Sequence, residues 1–230
     1  MSYIKKYRKK FSMFQVILEK KDPVIIEIGA HYGEDTLRFL ECFPESKIYC
    51  FEPDPRNINI FKKYVKHKNV ELFELALSDS KGRAQFFQSY QEYNQTEVPD
   101  KYNWISLEDY KKQKLNNSGS SSLKKGYKHT LATALEVKTD RFDNWYNENS
   151  PGEIDLVWID VQGAEKDVLA GMGDAIKNIK FIWTEYGETG YEDAMTRIDT
   201  INFMFERGFE PIEQLSSRMP AGDILFRRKK

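Results

Sequence analysis

Four acidic residues stand at or near the ends of apolar runs in this 230-residue chain: Glu27, Glu52, Asp160 and Glu185. Short apolar runs rich in β-branched residues predict buried strands. In an open parallel sheet, the carboxyl ends of the strands face one crevice, and ligands bind there. We therefore expect these carboxyl groups to converge on a ligand-binding site.

The first of these strands leads into a turn that contains Gly29 and Gly33, and then into a predicted helix that ends near Cys42. Because glycine has no Cβ, Gly29 allows the chain to turn and a ligand to approach the backbone. Glu52 follows the turn by about twenty residues, where a carboxylate can accept hydrogen bonds from both hydroxyls of a ribose. Strand, glycine turn, helix and acid together predict a nucleotide-binding unit.

The turn differs, however, from the GxGxxG pattern that binds a dinucleotide. The bulky His31 and Tyr32 would obstruct a pyrophosphate at the helix N-terminus, and Glu34 would repel it. The pattern favours an adenosine ligand that lacks phosphate and carries positive charge, such as S-adenosylmethionine. Acids such as Glu27 and Asp160 would stabilise its cationic groups.

The order of the predicted elements is that of a doubly wound, parallel α/β protein. Two strand–helix units precede a third strand at 69–75, and further strands are predicted at 154–160 and 178–185, before a closing antiparallel pair. The segment 89–130 departs from this pattern and is interpreted as an insertion. Residues 1–20 predict a basic amphipathic helix, which either caps the domain or binds a membrane surface or a partner.

The composition excludes several classes of protein. The formal net charge is −1, so no overall field favours nucleic acid or an anionic membrane, and no nucleic-acid partner is expected. No apolar run approaches the roughly 20 residues of a transmembrane segment, and the N-terminus lacks the pattern of a secretory signal. Cys42 and Cys50 lack the spacing of a zinc site and are interpreted as buried free thiols, which favours a reducing, cytoplasmic location.

Five short motifs resemble, in order, those of the FkbM-type S-adenosylmethionine-dependent methyltransferases. They are residues 27–33 (EIGAHYG), 51–55 (FEPDP), 76–79 (ALSD), 119–123 (GSSSL) and 159–165 (IDVQGAE). The resemblance covers about residues 23–188 and implies a methyltransferase domain over 21–230 that carries the insertion. In the last motif the family more often has Glu where this chain has Gln162.

The resemblance implies a Rossmann-like, seven-stranded class I methyltransferase sheet, mostly parallel with an antiparallel C-terminal strand, and helices on both faces. It also implies S-adenosylmethionine as the donor and a hydroxyl as the acceptor, most often on a sugar in a glycan or a nucleotide sugar. Glu52 would hold the ribose, while Ser78 and Asp79 would frame the adenine, Asp79 accepting a hydrogen bond from its exocyclic amine. The predicted donor-binding residues are Glu27, Gly29, Ala30, His31, Gly33, Thr36, Glu52, Pro53, Ala76, Leu77, Ser78, Asp79 and Asp160.

Methyl transfer to a sugar hydroxyl requires removal of its proton, and the sequence offers two devices. Of the three histidines, only His31 lies in the motif turn, where it is a candidate base or else a ring packed in the turn. Alternatively, Asp160 and Glu185 could bind a divalent metal, Mg or Mn, that activates the hydroxyl. The predicted catalytic residues are thus His31, Asp160 and Glu185, the last two also as candidate metal ligands.

The serine run of the insertion is a candidate acceptor-binding segment. The run from Ser118 to Ser122 could clamp the acceptor or close over the donor, with a flexible linker as the alternative. Its predicted acceptor contacts are Ser120, Ser121 and Ser122. Gln162 and Tyr186, near the predicted strand ends, are further candidates for orienting the acceptor.

Other interpretations of the insertion and of the whole chain are open. Four aromatic residues of the insertion offer flat faces that suit sugar rings, or else form a satellite core beneath a long loop: Tyr90, Tyr93, Tyr102 and Trp104. The chain could also be a module that binds an adenosyl ligand without catalysis, or a nucleic-acid methyltransferase. The last is disfavoured because the sequence has no basic stripe and no Asp/Asn-Pro-Pro-Tyr/Phe sequence.

Overall fold

The computed structural model of the chain describes residues 3–90, 97–112, 117–126, 131–187, 190–218 and 221–229. Its helices are α1 (Tyr3–Leu18), α2 (Glu34–Cys42), α3 (Pro55–Tyr64), α4 (Leu107–Lys112), α5 (Phe142–Asn149), α6 (Glu165–Ala170) and α7 (Arg197–Glu206). Its strands are β1 (Val24–Ile28), β2 (Lys47–Phe51), β3 (Val70–Phe73), β4 (Ala76–Ser78), β5 (Gly82–Ser89), β6 (Leu131–Arg141), β7 (Ile154–Ile159), β8 (Ile179–Gly187), β9 (Phe209–Arg218) and β10 (Ala221–Arg228).

The main sheet has seven strands in the order β3-β2-β1-β7-β8-β10-β9. The strands from β3 to β8 are parallel to their neighbours, whereas β10 runs antiparallel to both β8 and β9. The direction of the strand order reverses beside β1, the point at which open α/β sheets bind ligands. This sheet confirms the predicted mostly parallel architecture with an antiparallel C-terminal strand.

Alternating side chains carry the core on both faces of the sheet. On one face, Ile25 packs in a cluster with Phe14 of α1 and Phe39 of α2. On the other face, Ile26 packs in a cluster with Trp145 of α5 and with residues of α6 and α7. All of β7 is buried because helices cover both faces of this central strand. Helices on both faces are therefore confirmed.

Helix α1 packs on the sheet through its C-terminal half. Phe11 and Phe14 are buried, and their ring centroids lie 5.5 and 5.9 Å from that of Trp158. This packing favours the capping-helix interpretation. In the described part of the chain, none of the helices has both the length and the apolar character that crossing a bilayer needs.

A second sheet, which the sequence did not predict, joins β4, β6 and β5. The third strand ends at Phe73, earlier than expected, and the chain turns at Leu75, whose N–H donates to the carbonyl oxygen of Phe73 at 3.0 Å. β4 then pairs in parallel with β6, and β5 pairs antiparallel with β6. The second sheet has its own small apolar cluster, which includes Ala76 and Phe86.

Part of the insertion folds into a satellite core. Tyr102, Ile105 and Tyr110 are buried against Tyr32, and Trp104 packs on the same cluster. This confirms the satellite-core interpretation for Tyr102 and Trp104. Tyr93, for which the same was predicted, lies outside the described residues. The cluster also fixes the insertion beside the turn that precedes α2, because Tyr32 belongs to that turn.

Candidate active site

A cavity of about 440 Å³ opens at the carboxyl ends of β1, β2 and β7. The turn before α2, the second sheet and the insertion supply its walls. The predicted site residues that line it are Gly29, His31, Glu52, Pro53, Ala76, Leu77, Ser120, Ser121, Asp160 and Gln162. The predicted site residues that the structure describes but that lie outside this lining are Glu27, Ala30, Gly33, Thr36, Ser78, Asp79, Ser122, Glu185 and Tyr186.

Gly29 brings the ends of three strands together below the cavity. Its φ is +87°, and an added Cβ would lie 1.9 Å from the carbonyl oxygen of Asp160. Its N–H donates to the carbonyl oxygen of Phe51 at 2.9 Å. The turn therefore needs glycine, as predicted. The group that approaches Gly29 most closely is the backbone directly after β7, and not a ligand as expected.

Glu52 lies at the end of β2, only 4% exposed, and is held by the protein on both carboxylate oxygens. Oε2 accepts a hydrogen bond from the backbone N–H of His31 at 2.8 Å. Oε1 accepts from the backbone N–H of Asp54 at 2.8 Å and from Nδ2 of Asn57 at 3.2 Å. Burial, followed by repulsion from Asp54, raises the pKa of Glu52 to about 7. A carboxylate has about four acceptor positions, so one position on Oε2 is open for a ligand.

Asn57 is a site residue that sequence reasoning missed. It is 2% exposed, lines the cavity, and its Oδ1 has no hydrogen-bond partner among the described residues. A buried polar atom without a partner is costly, so this oxygen is suited to accept from a ligand. Its place in the first turn of α3, directly after the strand end that carries Glu52, is the signal that could have found it.

His31 joins the turn before α2 to the insertion. Its Nδ1 lies 2.8 Å from Oε1 of Glu34, and its Nε2 lies 3.0 Å from Oγ of Ser118. Tyr32 stacks on the imidazole with a centroid distance of 3.5 Å, and its hydroxyl is hydrogen-bonded to the same Ser118 oxygen. Ser118 and Glu34 line the cavity with His31. The sequence placed Ser118 in the serine run and Glu34 in the motif turn, but it did not predict that both would contact His31.

The charges around His31 favour its protonated form. Burial opposes protonation, but the charge and hydrogen bond of Glu34, with a further contribution from Glu52, raise the pKa of His31 above its ordinary value. Burial likewise opposes ionisation of Glu34, and the charge of His31 outweighs it and lowers the pKa of Glu34. The two residues therefore form an ion pair at the edge of the cavity.

Gln162 occupies the space between the two predicted metal ligands. Its Nε2 donates to Oδ1 of Asp160 at 2.6 Å and to Oε2 of Glu185 at 3.3 Å, while its Oε1 lies 3.1 Å from the hydroxyl of Tyr191. An amide N–H donor cannot coordinate a cation. The described residues contain no group of three or more His, Cys, Asp or Glu side chains that could hold a metal. These side chains therefore do not fit a divalent metal.

The serine run is docked on the protein and is not a free linker. The backbone of Ser122 pairs with that of Phe87, with N–O distances of 2.8 and 3.2 Å. Oγ of Ser121 accepts a hydrogen bond from Arg56 at 3.2 Å. Ser120 and Ser121 line the cavity, where they can contact a bound acceptor. This contact stays a prediction.

Glu27 and Thr36 lie in the core beneath α2. Strand alternation turns Glu27 away from the face that carries Ile26 and Ile28, and it accepts a hydrogen bond from the Thr36 hydroxyl at 2.5 Å. Burial, followed by repulsion from Asp35, raises the pKa of Glu27 well above its ordinary value. Glu27 therefore lies outside the cavity lining, and its raised pKa favours the neutral carboxylic acid. It is not suited to stabilise a cation in the cavity.

The predicted adenine region shows a similar division. Ala76 and Leu77 line the cavity together with Phe86, an apolar residue that the sequence did not assign to the site. Asp79 is exposed, and its carboxylate accepts from its neighbour Ser80 at 3.0 Å. The apolar wall is suited to a flat ring, and the contact of Asp79 with adenine stays a prediction.

Comparison with known proteins identifies the family. A family model described as the methyltransferase FkbM domain matches residues 27–211. The chain is 33% identical over 215 residues to the 2-O-methyltransferase NoeI of Sinorhizobium fredii (strain NBRC 101917 / NGR234), a match that covers 93% of this chain and 83% of NoeI.

Solved structures share the architecture. The fibrillarin/Nop5p complex matches with a TM-score of 0.52 and 12% identity, over 97% of this chain and 82% of that one. The N-terminal domain of EvdMO1, solved in the presence of SAH and D-fucose, matches with a TM-score of 0.50 and 13% identity, over 96% and 82%. At these identities the likeness shows the fold alone.

Proposed function

This chain belongs to the FkbM methyltransferase family, and on that premise we propose that it is an S-adenosylmethionine-dependent O-methyltransferase. The proposed acceptor is a sugar hydroxyl, in a glycan or in a nucleotide sugar. The name of the relative NoeI, a 2-O-methyltransferase, supports transfer to oxygen. One fold hosts many activities, so the chemistry of the cavity decides which ligands this chain can bind.

The observation that carries the proposal is the pairing of Glu52 with Asn57 in the cavity wall. Glu52 has one open acceptor position, and Oδ1 of Asn57 is buried without a partner among the described residues. Together they offer one acceptor to each hydroxyl of a ribose diol. Phe86 and Leu77 form an apolar wall nearby on the second sheet, which suits the adenine ring.

When bound, S-adenosylmethionine supplies an electrophilic methyl group on a sulfonium. The protein's contribution is to hold the acceptor oxygen in line with that group and to take its proton. Asp160 lines the same cavity and offers negative charge to the cationic part of the donor. His31 lies on the cavity wall, where it can take up the proton of the acceptor.

The charges of the cavity do not favour a polyanionic acceptor. The acids that line it are Glu34, Asp35, Glu52 and Asp160, against the cations Arg38 and Lys101. Arg38 forms an ion pair with Asp35. A nucleic acid would ordinarily meet a basic face. A sugar hydroxyl is therefore the better acceptor for these walls.

The test is methyl transfer from labelled S-adenosylmethionine to a panel of nucleotide sugars and of glycans that contain rhamnose, fucose or xylose, with RNA assayed separately as a competing acceptor. We expect transfer to a member of the panel, with a methyl ether as the product. Lys166→Ala, a change at an exposed position of α6, serves as the control variant, and it should keep the transfer activity of the wild-type protein. Donor binding without transfer to any acceptor, including RNA, would support a binding module instead, and transfer to RNA alone would support a nucleic-acid methyltransferase.

A further inference from the structure

Both ring nitrogens of His31 are already engaged. Nδ1 lies 2.8 Å from Glu34, and Nε2 lies 3.0 Å from Oγ of Ser118. Tyr32 covers one face of the ring at 3.5 Å. An acceptor hydroxyl therefore has no open ring nitrogen to reach unless it displaces Ser118.

Ser118 has one hydrogen-bonding position left for a ligand. A serine hydroxyl has one donor hydrogen and two acceptor positions. With Nδ1 protonated towards Glu34, Ser118 donates to Nε2 of His31 and accepts from the hydroxyl of Tyr32. The second acceptor position has no partner among the described residues. Ser118 is 1% exposed and lines the cavity, so that position is available to a bound acceptor.

The local backbone is built to hold this contact. His31 has a φ of +51° and Asn117, directly before Ser118, has a φ of +66°. Residues other than glycine adopt this left-handed conformation uncommonly, and Asn and His do so more often than most. A Cβ on Gly119 would approach Nε2 of His31 to 3.4 Å, so the segment lies directly against the ring. The backbone N–H of His31 is fixed in turn by Glu52 at 2.8 Å.

We propose that Ser118 passes the proton of the acceptor hydroxyl to His31, with Glu34 as the positioning residue that holds the imidazole in the receiving tautomer. This inference rests on the proposed methyl transfer. The acceptor oxygen forms a bond to the methyl carbon as the carbon–sulfur bond breaks, and that electron pair stays on sulfur as a neutral thioether. The acceptor proton moves to Oγ of Ser118 while the Ser118 proton moves to Nε2 of His31. The resulting imidazolium is balanced by the Glu34 carboxylate.

The relay requires His31 to be neutral before transfer. The turnover number kcat should therefore depend on pH. The groups facing the ring are Glu34 on α2, Glu52 directly after β2 and Lys101 in the insertion, besides the phenols of Tyr32 and Tyr102. Glu34 and Glu52 raise the pKa of His31, and Lys101 opposes them. With saturating donor and acceptor, kcat should therefore rise with pH through a value above the ordinary 6.5 of histidine.

The experiment compares Ser118→Ala and Glu34→Gln with the wild-type protein, with Ser12→Ala on α1 as a matched serine control. We expect Ser118→Ala to lower kcat by about 100-fold, the lower end of the contribution of a proton-transfer group. The Kd for S-adenosylmethionine and the circular dichroism spectrum should not change. Glu34→Gln should move the rising limb of kcat to lower pH, because the charge that stabilises protonated His31 is lost. NMR titration of labelled histidine should show the same downward shift of the His31 pKa.

The outcomes separate the relay from the proposed function. If the wild-type protein transfers methyl groups and Ser118→Ala keeps the kcat of Ser12→Ala, the relay is wrong and the methyltransferase stands. An unmoved pH limb in Glu34→Gln would likewise overturn the positioning role. If the wild-type protein binds the donor and transfers to no acceptor, the proposed function is wrong, and the relay is wrong with it.

Discussion

Replacement of Glu52 by glutamine should weaken binding of S-adenosylmethionine while the fold stays intact. Oε1 of Glu52 accepts from Asp54 and Asn57, and Oε2 accepts from the backbone N–H of His31. A glutamine keeps the first two hydrogen bonds if its oxygen takes the place of Oε1. Its NH₂ group then faces the N–H of His31 and cannot accept from a ribose hydroxyl.

The lost contact sets the magnitude. A hydrogen bond to a charged group contributes about 1.5–3 kcal/mol, which corresponds to a roughly 10- to 150-fold rise in Kd. Isothermal titration calorimetry measures the change, and Glu71→Gln, at an exposed position of β3, is the matched control. A Kd equal to that of the control, in a Glu52→Gln protein with wild-type circular dichroism, would refute the role of Glu52.

The pH dependence tests the same residue independently. Burial raises the pKa of Glu52 from 4.5 to about 7, so the folded state is destabilised by about 3 kcal/mol as pH rises through that interval. A cationic ligand with hydroxyl donors favours the ionised carboxylate. Affinity for S-adenosylmethionine should therefore increase as pH rises through about 7, and Glu52→Gln should lose that part of the dependence.

Three further predictions concern the fold and the metal. Gly29→Ala should lower Tm sharply or prevent folding, because its Cβ would lie 1.9 Å from the carbonyl oxygen of Asp160; a wild-type Tm would contradict this. Phe14→Ala should cost about 3–5 kcal/mol in urea unfolding, because this side chain of α1 is fully buried against the sheet; a loss below 1 kcal/mol, about the effect of a typical substitution, would show that α1 is not part of the core. EDTA should leave methyl transfer unchanged, because the amide of Gln162 lies between the predicted metal ligands. If EDTA abolished activity and Mg²⁺ restored it, the protein would bind a metal through ligands other than those considered above.

The fold was predictable where local pattern and topology agree. The β-branched runs before Glu52 and Asp160 are β2 and β7, and both acids line the cavity as expected. The same rule failed to place Glu27 there, because its direction depends on alternation along β1, with Ile26 and Ile28 facing the opposite side. The second sheet was not predictable because β4 has only three residues and finds its partner β6 more than fifty positions later.

The site was less predictable where it depends on contacts between distant segments. His31 was found in the motif turn, but the hydrogen bond to Ser118 spans 87 positions, and no local pattern reports it. Asn57 looks like an ordinary residue in the first turn of α3, and only burial of its unpartnered oxygen marks it. The metal hypothesis depended on two acids alone and could not foresee that Gln162 would donate to both.

The placement of Ser118 in the insertion has a consequence for the evolution and engineering of acceptor choice. The segment 89–130 supplies part of the cavity wall and also the hydroxyl that contacts His31. If Ser118 relays the acceptor proton as proposed, exchanging this segment with that of a relative would transfer the acceptor-binding surface and one step of the proton path together. A chimera would then change its acceptor without losing turnover only if the incoming segment also presents a hydroxyl at the position of Ser118.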